Sequence, residues 1–124
     1  MTTVLCVDDN PMSRYLVTAV IEHAGFQVLA AVDGEEGIEI ALAQHPDLVL
    51  MDIELPGISG IDATRRLKAM AETSGIPVIA LSGHEDRERI AEAMSAGCAG
   101  YVVKPLKMPV LLGTIHEVLG RGAA

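Results

Sequence analysis

Five polar residues of this 124-residue chain stand where short apolar runs end. Asp52 closes Leu48-Val49-Leu50-Met51 and opens the turn Ile53-Glu54-Leu55-Pro56-Gly57; Asp8 and Asp9 follow Val4-Leu5-Cys6-Val7, Ser82 follows Val78-Ile79-Ala80-Leu81, and Lys104 follows Tyr101-Val102-Val103. A strand-anchored carboxylate can attack phosphorus to form an acyl phosphate, and the protein's task is then mainly positioning and charge neutralisation. Asp52 is the nucleophile in that chemistry. Lys104 would pair with one phosphoryl oxygen and Ser82 would donate a hydrogen bond to another. Three close carboxylates repel one another unless a cation joins them. An all-oxygen, acidic set suits a hard divalent ion, Mg²⁺ best with Mn²⁺ as a substitute, held by Asp8 and Asp9 directly or through water. Apart from His84, no His or Cys falls near enough to argue for zinc.

Taken singly, each residue has an ordinary reading. Asp52 would be a turn residue, Asp8-Asp9 a complement to the dipole of the following helix, Ser82 a loop hydroxyl, Lys104 a surface charge and Tyr101 a half-buried strand aromatic. Their ordered spacing argues otherwise, because the intervals from Asp52 to Ser82 and from Ser82 to Lys104 each leave room for one helix and one strand. Periodicity and turn signals predict strands at 3–8, 26–32, 47–52, 76–81 and 99–103, and helices at 11–24, 35–44, 60–72, 85–96 and 107–119. The strands are continuously apolar, as in a parallel sheet covered on both faces. Right-handed crossovers turn five such βα units into a doubly wound α/β sheet, with the flavodoxin-like order 2-1-3-4-5 as the expectation. In that fold ligands bind outside the carboxyl ends of the strands, the rim to which all five residues belong.

Local punctuation supports these elements. Asn10 is a candidate N-cap with Pro11 at the first helical position, Gly25 stops the first helix, and Ser59 three residues before Asp62 resembles a capping box for a helix burying Ile61, Leu67 and Met70. Pro109 is tolerable only in a first turn, which puts the last helix start at 107–109. Glu85 and Arg89 are spaced as an i,i+4 pair, and 120–124 reads as a fraying tail. His23, His45 and His116 read as helix-surface or helix-end residues without a function.

Composition narrows the classes. A chain of this length suits one domain, here 1–124. The formal charge of −8, from 9 Lys and Arg against 17 Asp and Glu, has the wrong sign for holding a phosphate backbone, so direct nucleic-acid binding is disfavoured. Apolar stretches fall far short of the roughly 18 residues of a membrane span, and the N-terminus has no basic region or cleavage site. Both point to a cytoplasmic protein with no membrane insertion. Cys6 and Cys98 sit in apolar flanks without metal-site spacing. On strand 1 and beside strand 5 they would lie about 14 Å apart at roughly 4.8 Å per strand, too far for a disulfide.

The motifs Val7-Asp8-Asp9-Asn10, Leu50-Met51-Asp52-Ile53 with Pro56-Gly57, Ala80-Leu81-Ser82-Gly83 and Gly100-Tyr101-Val102-Val103-Lys104-Pro105 resemble those of response-regulator receiver domains, over essentially the whole chain. The resemblance implies Mg²⁺-dependent phosphotransfer to Asp52 from a phosphohistidine on a sensor histidine kinase or histidine phosphotransfer protein, in a two-component system or phosphorelay. It makes the backbone carbonyl of Glu54 a further metal ligand, and Ser82 and Tyr101 the switch pair that alters an α4-β5-α5 surface read by a downstream protein target. Pro105 matches a proline that follows a cis peptide, so a cis Lys104-Pro105 bond is predicted. His84, two residues beyond Ser82, matches a position where the family tunes water access and hence phosphoryl lifetime. Such a domain is not an enzyme in the ordinary sense, since it catalyses only its own phosphotransfer and autodephosphorylation. Two features depart from the common pattern: Ser82 stands where Thr is commoner, and Leu106-Lys107-Met108-Pro109 lacks the Phe that many members carry after the proline.

Two other readings fit less well. An aspartyl-nucleophile, Mg²⁺-dependent phosphohydrolase needs Asp-x-Asp after strand 1, where this chain has Asp8-Asp9-Asn10 and no cap insertion. A flavodoxin-like binding module needs a Ser-, Thr- and Gly-rich phosphate loop there.

Overall fold

The structure, a computed structural model, describes residues 1–122. Five strands, β1 (Thr3–Val7), β2 (Gln27–Ala31), β3 (Leu48–Asp52), β4 (Val78–Ser82) and β5 (Gly100–Val103), alternate with five helices, α1 (Pro11–His23), α2 (Gly34–Gln44), α3 (Gly60–Ala69), α4 (Arg87–Ser95) and α5 (Met108–Gly122). All strand pairs are parallel, in the order β2-β1-β3-β4-β5. The doubly wound α/β sheet is therefore as the sequence predicts. The winding reverses between β1 and β3, which puts the ligand-binding crevice where their carboxyl ends meet.

Period-two side-chain alternation explains why the strands are apolar throughout. Leu5, Val7, Val49, Met51, Val78 and Ala80 enter one core with Ile38 of α2, Ile61 and Leu67 of α3 and Ala93 of α4. Their neighbours Val4, Cys6, Leu48, Leu50, Ile79 and Leu81 enter the other, with Val17 and Ile21 of α1 and Leu111 and Ile115 of α5. Cys6 and Cys98 consequently lie on opposite faces, both free and buried. Burial, reinforced by the charge of Asp8, pushes the Cys6 thiol up to about 12, which makes it an inert core side chain.

Helix ends follow local chemistry. The Asn10 side chain accepts from the Ser13 N–H ahead of Pro11, and Gly25, at φ +100°, ends α1 with its N–H donating to the Glu22 carbonyl. Ser59 accepts from the Asp62 N–H at 3.1 Å, and Pro109 occupies the first turn of α5. α2 starts one residue earlier than predicted because Asp33 caps it, accepting from the Glu36 N–H, while Glu36 accepts in return from the Val32 N–H.

Three predicted boundaries need correction. The periodicity extends the third helix to 72, but α3 stops at Ala69: the Thr73 hydroxyl donates to the Leu67 carbonyl, a last-turn acceptor, while Lys68 Nζ holds the segment that follows through the carbonyls of Ser74 and Ile76. α4 begins at Arg87 because Asp86 accepts from the Arg89 N–H. Glu85 therefore precedes the helix, and no Glu85–Arg89 ion pair exists among the described residues. The helix of 107–119 reaches Gly122, so 120–122 are helical and not a frayed tail; 123 and 124 lie outside the described residues.

His45 ends α2 in the left-handed region, at φ 48°. That conformation crowds a Cβ and favours Gly. His45→Gly is expected to raise stability by about 0.5–1 kcal/mol, read as a higher urea midpoint at unchanged slope.

Candidate functional site

The four strands that carry the predicted residues deliver them to one rim. Asp8 follows β1, its N–H bonded to the Ala31 carbonyl, and Lys104 follows β5, its N–H bonded to the Ser82 carbonyl. Asp52 and Ser82 are the last residues of the neighbouring strands β3 and β4. Across the rim Lys104 Nζ donates to Asp52 Oδ2 at 2.9 Å, and the Glu54 N–H donates to Asp52 Oδ1 at 3.0 Å. Asp8, Asp9 and Asp52 each offer a carboxylate oxygen within 4.8 Å of the others. Asp8 and Asp52 are buried while Asp9 is exposed. The Lys104–Pro105 peptide bond is cis.

Three acidic side chains around one lysine leave the crevice electronegative. Burial raises the pKa of Asp52, and the nearby charge of Asp8 adds to that; the hydrogen bond and charge of Lys104 offset the rise only in part. Burial works against the Lys104 charge too, yet its hydrogen bond to Asp52 and the surrounding charges of Asp52, Asp8 and Glu54 together hold its pKa above the ordinary value. One base thus serves several acids. The donor set is all oxygen, closely spaced and short of positive charge, which fits a hard divalent cation such as Mg²⁺ and not zinc.

Several supporting contacts are absent from the sequence reading. Both oxygens of Asp8 are held, Oδ1 by the Asn10 N–H at 2.9 Å and Oδ2 by the Ser13 hydroxyl at 2.6 Å, while Arg14 Nη1 donates to the Asp8 carbonyl at 2.8 Å. The signal for Ser13 was available. An N-cap at Asn10 places the residue three positions on over the end of β1. On the far side, the Glu54 side chain accepts from the Ser82 hydroxyl at 2.8 Å and from the Gly83 N–H at 3.0 Å. The His84 N–H donates to Ser82 Oγ, and the Tyr101 hydroxyl donates to the His84 carbonyl at 2.6 Å. The exposed His84 is tied into the rim by its backbone.

Access is open on one side. A groove of about 550 Å³ runs beside Lys104, lined by Asn10, Met12, Ser13, Leu16 and Leu106, and Met12, Tyr15 and Leu16 of α1 are exposed next to it. No helix among the described residues is long and apolar enough to cross a membrane.

The profile of the response regulator receiver domain family matches residues 4–116. Protein PilH of Pseudomonas aeruginosa is 42% identical over 119 residues, covering 96% of this chain and 98% of PilH. The polar-differentiation response regulator DivK of Brucella ovis is 38% identical over 121 residues, covering 95% and 96%. Among solved structures, the chemotaxis protein CheY4 of Vibrio cholerae superposes with a TM-score of 0.91 at 28% identity, covering 95% of this chain and 98% of that one. The receiver domain of the sensor histidine kinase PA1611 of Pseudomonas aeruginosa does so with a TM-score of 0.89 at 29% identity, covering 96% and 98%, and holds a magnesium ion in its active-site cleft. Sequence, fold and the acidic crevice at the switch point agree: this chain belongs to the response regulator receiver domains, the signalling modules of two-component systems.

Proposed function

We propose that this receiver domain takes a phosphoryl group onto Asp52 from a phosphohistidine of a sensor histidine kinase or histidine phosphotransfer protein and passes the signal to a downstream protein. The observation that carries this reading is the Lys104–Asp52 contact at 2.9 Å beside the Asp8-Asp9-Asp52 cluster. An Asp52 oxygen forms the new P–O bond as the P–N bond of the donor breaks, and the imidazole nitrogen keeps the electron pair. Lys104, already directed at Asp52, pairs with a phosphoryl oxygen. Asp9 and Asp52, with Asp8 and the Glu54 carbonyl, would hold Mg²⁺ or Mn²⁺, which supplies charge neutralisation on the transferred group. Ser13 and the Asn10 N–H keep the Asp8 carboxylate oriented for that purpose.

The output rests on Ser82 and Tyr101. The Ser82 hydroxyl turns toward the phosphoryl group, and the chain of contacts through His84 to the Tyr101 hydroxyl carries that movement to the α4-β5-α5 surface. His84, at the exposed mouth, governs water access to the acyl phosphate. Each chain holds one phosphoryl group at a time, and water attack on the acyl phosphate releases inorganic phosphate and restores the Asp52 carboxylate.

The test uses acetyl phosphate as a small donor. With Mg²⁺ it should add one phosphoryl mass per chain, labile to hydroxylamine and mapping to the peptide that contains Asp52, and EDTA should prevent the addition. Labelling that persists in EDTA, or that maps to a hydroxyl residue, would sink the reading.

A further inference from the structure

The switch hydroxyl is already engaged, by an anion that belongs to the chain itself. Ser82 Oγ receives the His84 N–H at 3.1 Å, and its single proton goes to Glu54 Oε2 at 2.8 Å. The Gly83 N–H goes to the other oxygen of the same carboxylate, at 3.0 Å. A hydroxyl has one proton to donate and so does a backbone amide, so each can serve only one acceptor at a time. The Glu54 backbone is anchored to Asp52 through its N–H. Its side-chain charge also lies close enough to Lys104 to favour that cation. Two donors that converge on a carboxylate at the rim of a phosphoacceptor crevice form an oxyanion subsite, and here a side chain fills it.

We propose that the Glu54 carboxylate is a built-in stand-in for a phosphoryl oxygen: it plugs the subsite formed by the Ser82 hydroxyl and the Gly83 N–H, and the switch completes only when Glu54 is displaced. The proposal rests on the phosphoacceptor reading of Asp52 and adds an autoinhibitory contact to it. Glu54 acts as a positioning residue through Ser82 and Gly83. An incoming phosphoryl group must break two charge-assisted hydrogen bonds before it gains these donors, and it meets a like charge until Glu54 swings outward. Glu54 is exposed, so solvent can take up the released carboxylate.

The experiment uses the full chain with Mg²⁺ and beryllofluoride, a non-covalent phosphoryl mimic, followed by amide NMR. Before any anion is added, Glu54→Ala should shift the Gly83 amide, since its acceptor is gone. Half-saturation should then come at a roughly tenfold lower beryllofluoride concentration than in the wild type, the order expected when a charged hydrogen-bonding competitor is removed. Glu54→Gln, which keeps an acceptor without the charge, should fall between them. In a Ser82→Ala background the Glu54→Ala gain should shrink, because one of the contested donors is missing. Unchanged or weaker binding by Glu54→Ala overturns the plug, as does a Gly83 amide that ignores the substitution. If neither wild type nor Glu54→Ala takes up the anion while the Gly83 amide does shift, the contact exists but the phosphoacceptor reading fails, and the inhibitory role falls with it.

Discussion

Asp52→Asn is expected to end phosphoryl uptake altogether while making the metal-free protein more stable, by about 1 kcal/mol. The first effect follows from chemistry, since an amide is not a nucleophile toward phosphorus at neutral pH. The second follows from the crevice. Asp52 is buried at 3% exposure, its pKa is raised by that burial and by Asp8, and Lys104 compensates only in part. Breaking a buried ion pair usually destabilises, because the remaining partner is stranded. Here it is not stranded, since Lys104 is 29% exposed and keeps the charges of Asp8 and Glu54. Losing one of several acids brings the pocket nearer neutrality.

The pH dependence separates this cause from a packing effect. A carboxyl whose folded-state pKa lies above its unfolded value of 3.8 binds its proton more tightly when folded. Its contribution to stability is fully present below 3.8 and is lost as pH rises through the folded-state value. Asparagine never ionises. The stability difference between Asp52→Asn and wild type in EDTA should therefore be small in acid and widen toward neutrality, as read by thermal melts at a series of pH values. Mg²⁺ should narrow it again by stabilising the wild type more. A difference that stays constant with pH would show that the carboxylate charge is not the cause.

Gly60→Ala is expected to destabilise the fold by about 3 kcal/mol, with a fall in melting temperature of about 10 °C, and to slow phosphoryl uptake by as much as about a hundredfold. A Cβ at Gly60 would lie 2.1 Å from the Asp52 carbonyl oxygen and 2.8 Å from both the Asp52 carbonyl carbon and Ile53 Cα. These are backbone atoms and cannot rotate away. The Gly60 N–H also donates to the Ile53 carbonyl at 3.0 Å, so the start of α3 rests directly on the segment that bears Asp52, the proposed acceptor. Any relief moves Asp52 relative to Lys104, and phosphoryl transfer depends on that alignment. Gly113→Ala provides the contrast, because a Cβ there meets nothing within 4 Å on an exposed turn of α5. It should gain about 0.5–1 kcal/mol from helix propensity. Equal effects from the two substitutions, by denaturant titration and by rate of phosphoryl uptake, would rule out the steric argument.

The amino-acid sequence by itself determined the order of elements, the two buried faces of the sheet and the rim that carries Asp8, Asp9, Asp52, Ser82 and Lys104. These are written in local chemistry: unbroken apolar runs such as Leu48–Met51, caps such as Asn10 and Ser59, and the rule that parallel strands present their carboxyl ends on one side. Helix ends were less legible where a side-chain donor from beyond the helix decides them, as the Thr73 hydroxyl does for α3 by donating to the Leu67 carbonyl. Only the tertiary structure decided that Ser13 holds Asp8, that Gly60 touches the Asp52 backbone, and that Glu54 reaches across from the β3 loop to claim the donors of Ser82 and Gly83. Periodicity assigns a residue to a face or an end of its element. The direction of a loop side chain, and the space left between two backbones, emerge only when the strands are laid side by side.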